Sequence, residues 1–400
     1  RRQRQMSIRD RAEVVVVSCP TDPPTVRDVV LRERWRIDAD DPDAPLLGQI
    51  ASTGIVALDG RLYLLDGQLC HVLIYSDQGA FLGTLLREGD GPGEVRNPSV
   101  MLLTPSGQLA VGHGHPSGLT FVDLDGVPRG RWQLAANTWT NRFVPTPRGW
   151  ISGYSTWDAE ASDATHTVHQ RYLALHDEDG QRTIVYDHRT SRIHRQRDHK
   201  QEVDGSFLVW AAGPDGTVVI GRERDRYRLE VLDPDGQLLQ TITRELKPYR
   251  RPDEDLARMA NNHYRAGPDG YTILDVAFAP CDPQLHRLAV LPDGGLMVQT
   301  AWFHRGLEPG MACRYELHEP DGTLREQVRV FDPDGDFDPL LDVAVLLPDD
   351  RAVILRNAYA ASQSAMRGSL PDELLDELPD DREDIQLVVK VCDLVDQRAR

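Results

Sequence analysis

Nothing in this chain pairs its cysteines. The five, Cys19, Cys70, Cys281, Cys313 and Cys392, form no Cys-x-x-Cys and no paired spacing, which argues against a disulfide framework or a structural zinc site. No apolar run approaches the roughly 20 residues that a transmembrane helix needs. Clustered Lys and Arg are missing as well. The chain carries 45 basic against 63 acidic residues, a formal charge of −18, the wrong sign for a nucleic-acid backbone. Two common hydrolase signatures, the Gly-x-Ser-x-Gly elbow and His-Glu-x-x-His, are also absent.

What the chain has is turns, and they alternate in two series. The first contains Leu58-Asp59-Gly60, Pro105-Ser106-Gly107, Pro147-Arg148-Gly149, Pro214-Asp215-Gly216, Pro292-Asp293-Gly294 and Pro348-Asp349-Asp350. The second contains Asp77-Gln78-Gly79, Leu124-Asp125-Gly126, Glu178-Asp179-Gly180, Pro234-Asp235-Gly236 and Pro320-Asp321-Gly322. Short alternating apolar segments flank each turn, the pattern of antiparallel strands. Six turns and five fit six four-stranded units whose twelfth turn is replaced by the chain ends. The expected fold is therefore all-β: a six-bladed β-propeller with four antiparallel strands per blade. Two stacked sandwiches would not explain the single missing turn.

The last unit has only three strands after Leu341, so its fourth must come from elsewhere. Residues 28–37 supply the candidate. Val29, Leu31, Trp35 and Ile37 fall on one face by alternation, with Arg32, Arg34 and Arg36 on the other. Pairing this segment with the last strand, near Gln386–Leu394, closes the ring and removes an open edge. The propeller then spans 26–396 as one domain, expected to be a monomer. Short helical insertions are expected near 252–263, where Pro252 and three acids open a helix, and near 371–378.

Residues 1–25 form a tail. Val14-Val15-Val16-Val17-Ser18-Cys19 resembles the end of a lipoprotein signal, followed by a Pro20 to Pro24 tether, but four valines behind Arg9, Asp10, Arg11 and Glu13 are short for that role. The alternative for this segment is a buried or flexible N-terminal strand.

Gly89-Asp90-Gly91-Pro92-Gly93-Glu94-Val95 lacks the Lys-Ser/Thr of a phosphate loop and opens no helix. It reads instead as a blade-to-blade crossover in which Glu94 bonds backbone amides. Together with Asp77 to Leu82, Thr25-Val26-Arg27-Asp28 and Tyr227–Pro248, this run resembles the bacterial six-bladed β-propeller family related to NHL-repeat and TolB-like proteins, over about residues 25–395. The resemblance implies a periplasmic or envelope-associated protein, often lipid-anchored and without assigned chemistry. Related folds include gluconolactonase-type hydrolases and amidating lyases with a metal in the central channel. The Glu, Asn and Asp ligands of the gluconolactonases find no matching positions here.

In a propeller, the connections between second and third strands and between blades emerge on one face. Trp139, Tyr154, Trp157, Trp302, Phe303, His304 and Tyr359 fall in or beside those connections, and form the expected ligand-binding surface for a small molecule, a glycan or a protein segment. His113 and His115, joined by His166, offer imidazoles for a zinc-type ion. Asp332, Asp334, Asp336 and Asp338 alternate along one loop as calcium ligands do, but lack a distal bidentate acid. The reading is a non-enzymatic binding propeller. Its alternative is a metal-dependent hydrolase or lyase in which a metal-bound water is the nucleophile.

Overall fold

The computed structural model describes residues 14–38, 45–114, 117–134, 138–194, 201–202, 208–254, 256, 264–267, 270–273, 276–300, 307–338, 341–347, 349–359, 361 and 387–397. Six blades of four antiparallel strands account for nearly all of it: three are separate four-stranded sheets, one gains a fifth strand, and two are joined in a single eight-stranded sheet. Blade 1 runs Ile50–Leu58, Arg61–Asp66, His71–Ser76 and Phe81–Leu85, and blade 2 runs Pro98–Leu103, Leu109–Gly114, Ser117–Val122 and Pro128–Gln133. Blade 3 has longer strands: Thr138–Thr146, Gly149–Asp158, His166–His176 and Arg182–His194. Blade 4 comprises Val209–Ala212, Val218–Gly221, Tyr227–Leu232 and Leu238–Arg244, and blade 5 Leu285–Val290, Leu296–Thr300, Met311–His318 and Leu324–Phe331. Blade 6 is Val343–Leu346, Arg351–Arg356 and Val388–Asp396, completed by Val26–Asp38.

The third residue of every turn in both series has a positive φ, from Gly60 to Gly322, with Asp350 taking the place of glycine at 56°. All these turns join first to second or third to fourth strands, so they share the face opposite the blade connections.

The apolar core is divided among the six interfaces of the ring. Leu62 and Leu64 pack with Val353, Leu355 and Val389 of blade 6, while Tyr63 and Leu65 pack with Val111 and Val122 of blade 2. Equivalent clusters join blades 2 and 3, 3 and 4, 4 and 5, and 5 and 6. Strand alternation feeds both faces of each sheet, so each blade is a shared wall. First strands of adjacent blades approach one another at several of these interfaces, most extensively between blades 1 and 2 and between blades 4 and 5.

Val26–Asp38 closes the ring as expected, pairing antiparallel with Val388–Asp396 from Val29↔Asp396 to Asp38↔Val388. It also pairs in parallel with Leu324–Phe331, zipping blade 6 to the outer edge of blade 5. One expectation fails. Val29 and Leu31 enter the interface with blade 5, whereas Trp35 and Ile37 enter the one with blade 1. A register shift between Glu33 and Trp35 inserts one extra residue and turns the strand over. Beyond it, Trp35 stacks on Tyr75 at 5.5 Å and donates its indole N–H to the Asp77 carbonyl at 3.0 Å.

The N-terminal segment forms an edge strand whose first valines are exposed and whose last residue, Cys19, is buried. Val15–Cys19 pairs in parallel with Leu238–Arg244 as a fifth strand of blade 4. Cys19 is 7 % exposed, with its sulfur 3.6 Å from the Gly322 carbonyl. Arg244 holds the next two residues through the carbonyls of Pro20 (2.8 Å) and Thr21 (2.6 Å), and pairs with the buried Glu316. A lipid on the Cys19 sulfur would have to leave this packing.

The crossover at Gly89–Val95 has the expected form. Glu94 accepts a bond from the Gly91 amide at 2.7 Å and from Arg87 at 2.8 Å, which together hold its carboxyl below the usual range. The helix expected at 252–263 begins as read, with the Leu256 amide on the Pro252 carbonyl at 3.2 Å; residues 257–263, like the second insertion at 371–378, lie outside the described residues. The same connection carries a hairpin, Tyr264–Gly267 with Gly270–Ile273, which the turn pattern did not indicate.

Candidate functional site

A cavity of about 640 Å³ opens on the face of the blade connections, between blades 6, 1 and 2. Its lining comes from the starts of three innermost strands and from two loops that follow second strands. Gln49, Ser52, Thr53, Asn97, Ser99 and Tyr359 supply its polar groups, while Ile50, Pro98, Val343 and Leu355 supply apolar wall.

Buried carboxylates shape the rim. Asp66, fully buried at the end of its strand, accepts bonds from the amides of Gly48 (2.7 Å), Gln49 (3.2 Å), Gln68 (3.0 Å) and Leu69 (2.9 Å). Four amides on one carboxylate fix two loops against each other. Gly67 between them allows the Pro98 carbonyl to come close: a Cβ there would lie 2.8 Å from that oxygen. Thr53 donates to the Ser99 carbonyl at 2.7 Å, tying blade 1 to blade 2.

On the blade 6 side, Asp342 plays the corresponding role. It accepts the amides of Asn357 (2.7 Å) and Asp338 (2.9 Å) and pairs with Arg356 at 2.7 Å. Burial nevertheless pushes its carboxyl pKa up. Asn357 turns through a φ of 58°, and Tyr359 follows with its amide on the Leu341 carbonyl at 3.0 Å. The Tyr359 side chain is thereby carried to the cavity, 37 % exposed.

The other expected site residues disperse. Trp139 and Trp157 stand exposed, at 66 % and 61 %, on the long hairpins of blade 3. Register places Trp139 opposite Ser155, so both indoles share one side of that sheet, where Trp157 meets His169 edge-on at 6.0 Å. Tyr154 is half-buried on the opposite side, stacked on Tyr172 at 5.3 Å with its hydroxyl accepting from Arg182 at 3.0 Å. Burial raises its pKa. Trp302, Phe303, His304 and His115 lie outside the described residues.

His166 is engaged locally, 2.8 Å from the Thr165 hydroxyl and 3.5 Å from Asp163. His113 lies on the second strand of blade 2, between Pro98 and Gly118 in register. Neither belongs to a group of three potential metal ligands among the described residues. Asp332, Asp334 and Asp336 do form such a group. Lys390 lies 3.6 Å from Asp334 and 3.9 Å from Asp336, and Arg356 lies 2.6 Å from Asp336, so two cations already sit within it. Burial and the neighbouring Asp336 raise the pKa of Asp332.

Gln49, Ser52, Asn97 and Ser99 had no sequence signal of their own. Their positions at the starts of first strands are the one feature that could have singled them out.

No family model matches this sequence, and no curated protein does. Among solved structures, the chain is similar to a protein from Bacteroides fragilis described as exported, at 12 % identity over 95 % of this chain and 99 % of that one, TM-score 0.44. It is also similar to regucalcin, a calcium-binding protein of Agrobacterium tumefaciens, at 12 % identity over 93 % and 96 %, TM-score 0.36. A third is virginiamycin B lyase from Staphylococcus aureus, in a catalytically inactive form, at 9 % identity over 90 % and 98 %, TM-score 0.39. The six blades and their six shared interfaces make this chain an all-β, six-bladed propeller; these likenesses concern the fold and assign no activity.

Proposed function

We propose that this protein is a non-catalytic binding propeller whose cavity between blades 6, 1 and 2 takes a neutral, hydroxyl-rich ligand such as a short glycan. The observation that carries the reading is the chemistry of the lining. In a chain of net charge −18, no Asp, Glu, Lys or Arg lines this cavity among the described residues. Amide and hydroxyl groups of Gln49, Ser52, Asn97 and Ser99 orient a polar ligand without demanding a counter-charge, and the Tyr359 ring offers a flat apolar surface for a sugar face. Loops pinned by Asp66 and Asp342 present these groups on a rigid frame, which limits the entropy lost on binding. We place the protein in the bacterial envelope on the resemblance of its Gly89–Val95 crossover to that of exported propellers, without a lipid at Cys19.

Calorimetric titration with maltotriose, cellotriose and chitotriose tests this. At least one should bind saturably to the full chain, and Tyr359→Ala should weaken it tenfold or more while Trp157→Ala leaves it unchanged. Three inert sugars, or full affinity in Tyr359→Ala, would refute the reading.

A further inference from the structure

Two arginines on innermost strands lack the carboxylate partners that this acidic chain gives to several other arginines. Arg27 pairs with Glu326, Arg222 with Asp187 and Glu230, Arg251 with Asp282, and Arg329 with Asp28. Among the described residues, no Asp or Glu pairs with Arg142 of blade 3 or Arg287 of blade 5.

A register shift between Thr140 and Phe143 takes Arg142 out of the ladder, a common way for a strand to re-aim a side chain. Its guanidinium reaches across to two further blades, donating to the Trp210 carbonyl at 2.6 Å and the Leu288 carbonyl at 3.2 Å, and lying 4.7 Å over the Trp210 ring. Two of its five N–H groups are thus used, and three remain. Leu288 adjoins Arg287 in sequence, and the charge of Arg287 is felt at Arg142. Burial lowers the pKa of both, Arg142 to about 10 with Arg287 adding its charge. Arg287 nevertheless keeps substantial solvent contact. Enclosure together with water contact is what a side chain in the central channel of a ring experiences.

We propose that Arg142 and Arg287 form an anion site in the central channel, which takes the carboxylate or phosphate group of a small molecule. Two adjacent guanidinium groups repel each other at low dielectric, and an oxyanion between them removes that cost while accepting paired N–H bonds. The carbonyl bonds hold Arg142 in place beforehand, so Arg287 is the part that adjusts. The site is separate from the cavity of blades 6, 1 and 2.

The test is calorimetry on the full chain at neutral pH and low ionic strength, with inorganic phosphate and with succinate as probes. Saturable binding of either probe, weakened at least tenfold in Arg287→Gln, supports the site, and the preferred probe tells phosphate from carboxylate. Arg287→Gln removes no described hydrogen bond, so its melting temperature should match the wild type and its sugar binding should be unchanged. Arg142→Lys, which keeps the charge but loses the fork, should also weaken the anion. Failure of both probes to bind, or wild-type affinity in Arg287→Gln, would overturn the proposal.

Discussion

Acidification from pH 7 to pH 4 should cost the fold about 3 kcal/mol through His176 alone. This imidazole is 2 % exposed, at the end of the third strand of blade 3, with Trp132 and Tyr154 presenting rings at 6.0 and 5.2 Å. Neither ring nitrogen has a partner in hydrogen-bond geometry. The Gly180 backbone is near enough to favour the charged form a little, but burial outweighs it and pushes the pKa down to about 4. The unfolded chain takes up this proton near the ordinary imidazole value of about 6.5, while the folded chain resists until about 4. Stability from this residue is therefore complete above pH 6.5, falls as the pH drops from there to about 4, and is constant below. At about 1.4 kcal/mol for each pH unit, that interval gives the stated cost. The assay is guanidinium denaturation at a series of pH values for the wild type and His176→Phe, which keeps the aromatic contacts and loses the titration. Other acid-sensitive groups are common to both chains and cancel in the difference. Parallel stability curves for the two chains would refute the reasoning.

Trp35→Ala removes the ring stack on Tyr75 and the bond to the Asp77 carbonyl that join the closing strand to blade 1. It should cost about 3 kcal/mol in chemical denaturation, and a cost under about 1 kcal/mol would show that closure does not depend on this contact. Cys19, Cys70, Cys313 and Cys392 are buried, and burial raises all four thiols, the last two to about 12. Iodoacetamide at pH 8 should therefore modify Cys281 alone in the native protein and all five cysteines in denaturant, as read by mass spectrometry. Rapid native labelling of Cys19 would contradict the docking of the Val15–Cys19 strand.

The ring was legible because turn chemistry is local. A glycine or aspartate that must adopt a positive φ announces itself, and the absence of a twelfth turn pointed to residues 28–37. Which wall each residue of that strand enters was not legible. A bulge between Glu33 and Trp35 reverses the faces, and no residue type there requires one. Trp139, Trp157 and Tyr359 were placed on the correct end of the blades by topology alone, but topology does not say which of them meet a cavity. Gln49, Asn97 and Ser99 escaped notice since short uncharged side chains form a site only through the loops that gather them. Arg142 escaped for a related reason: its placement depends on a second bulge and on carbonyls 68 and 146 residues away.

The proposed seat of a neutral ligand is the cavity between blades 6, 1 and 2. A crystal structure of the full chain soaked with the tightest-binding of the three trisaccharides tests it most directly. A sugar ring should stack on Tyr359, with its hydroxyls bonded to Gln49 and Asn97. A sugar ordered instead on the Trp139 and Trp157 side of blade 3, with that cavity empty, would contradict it.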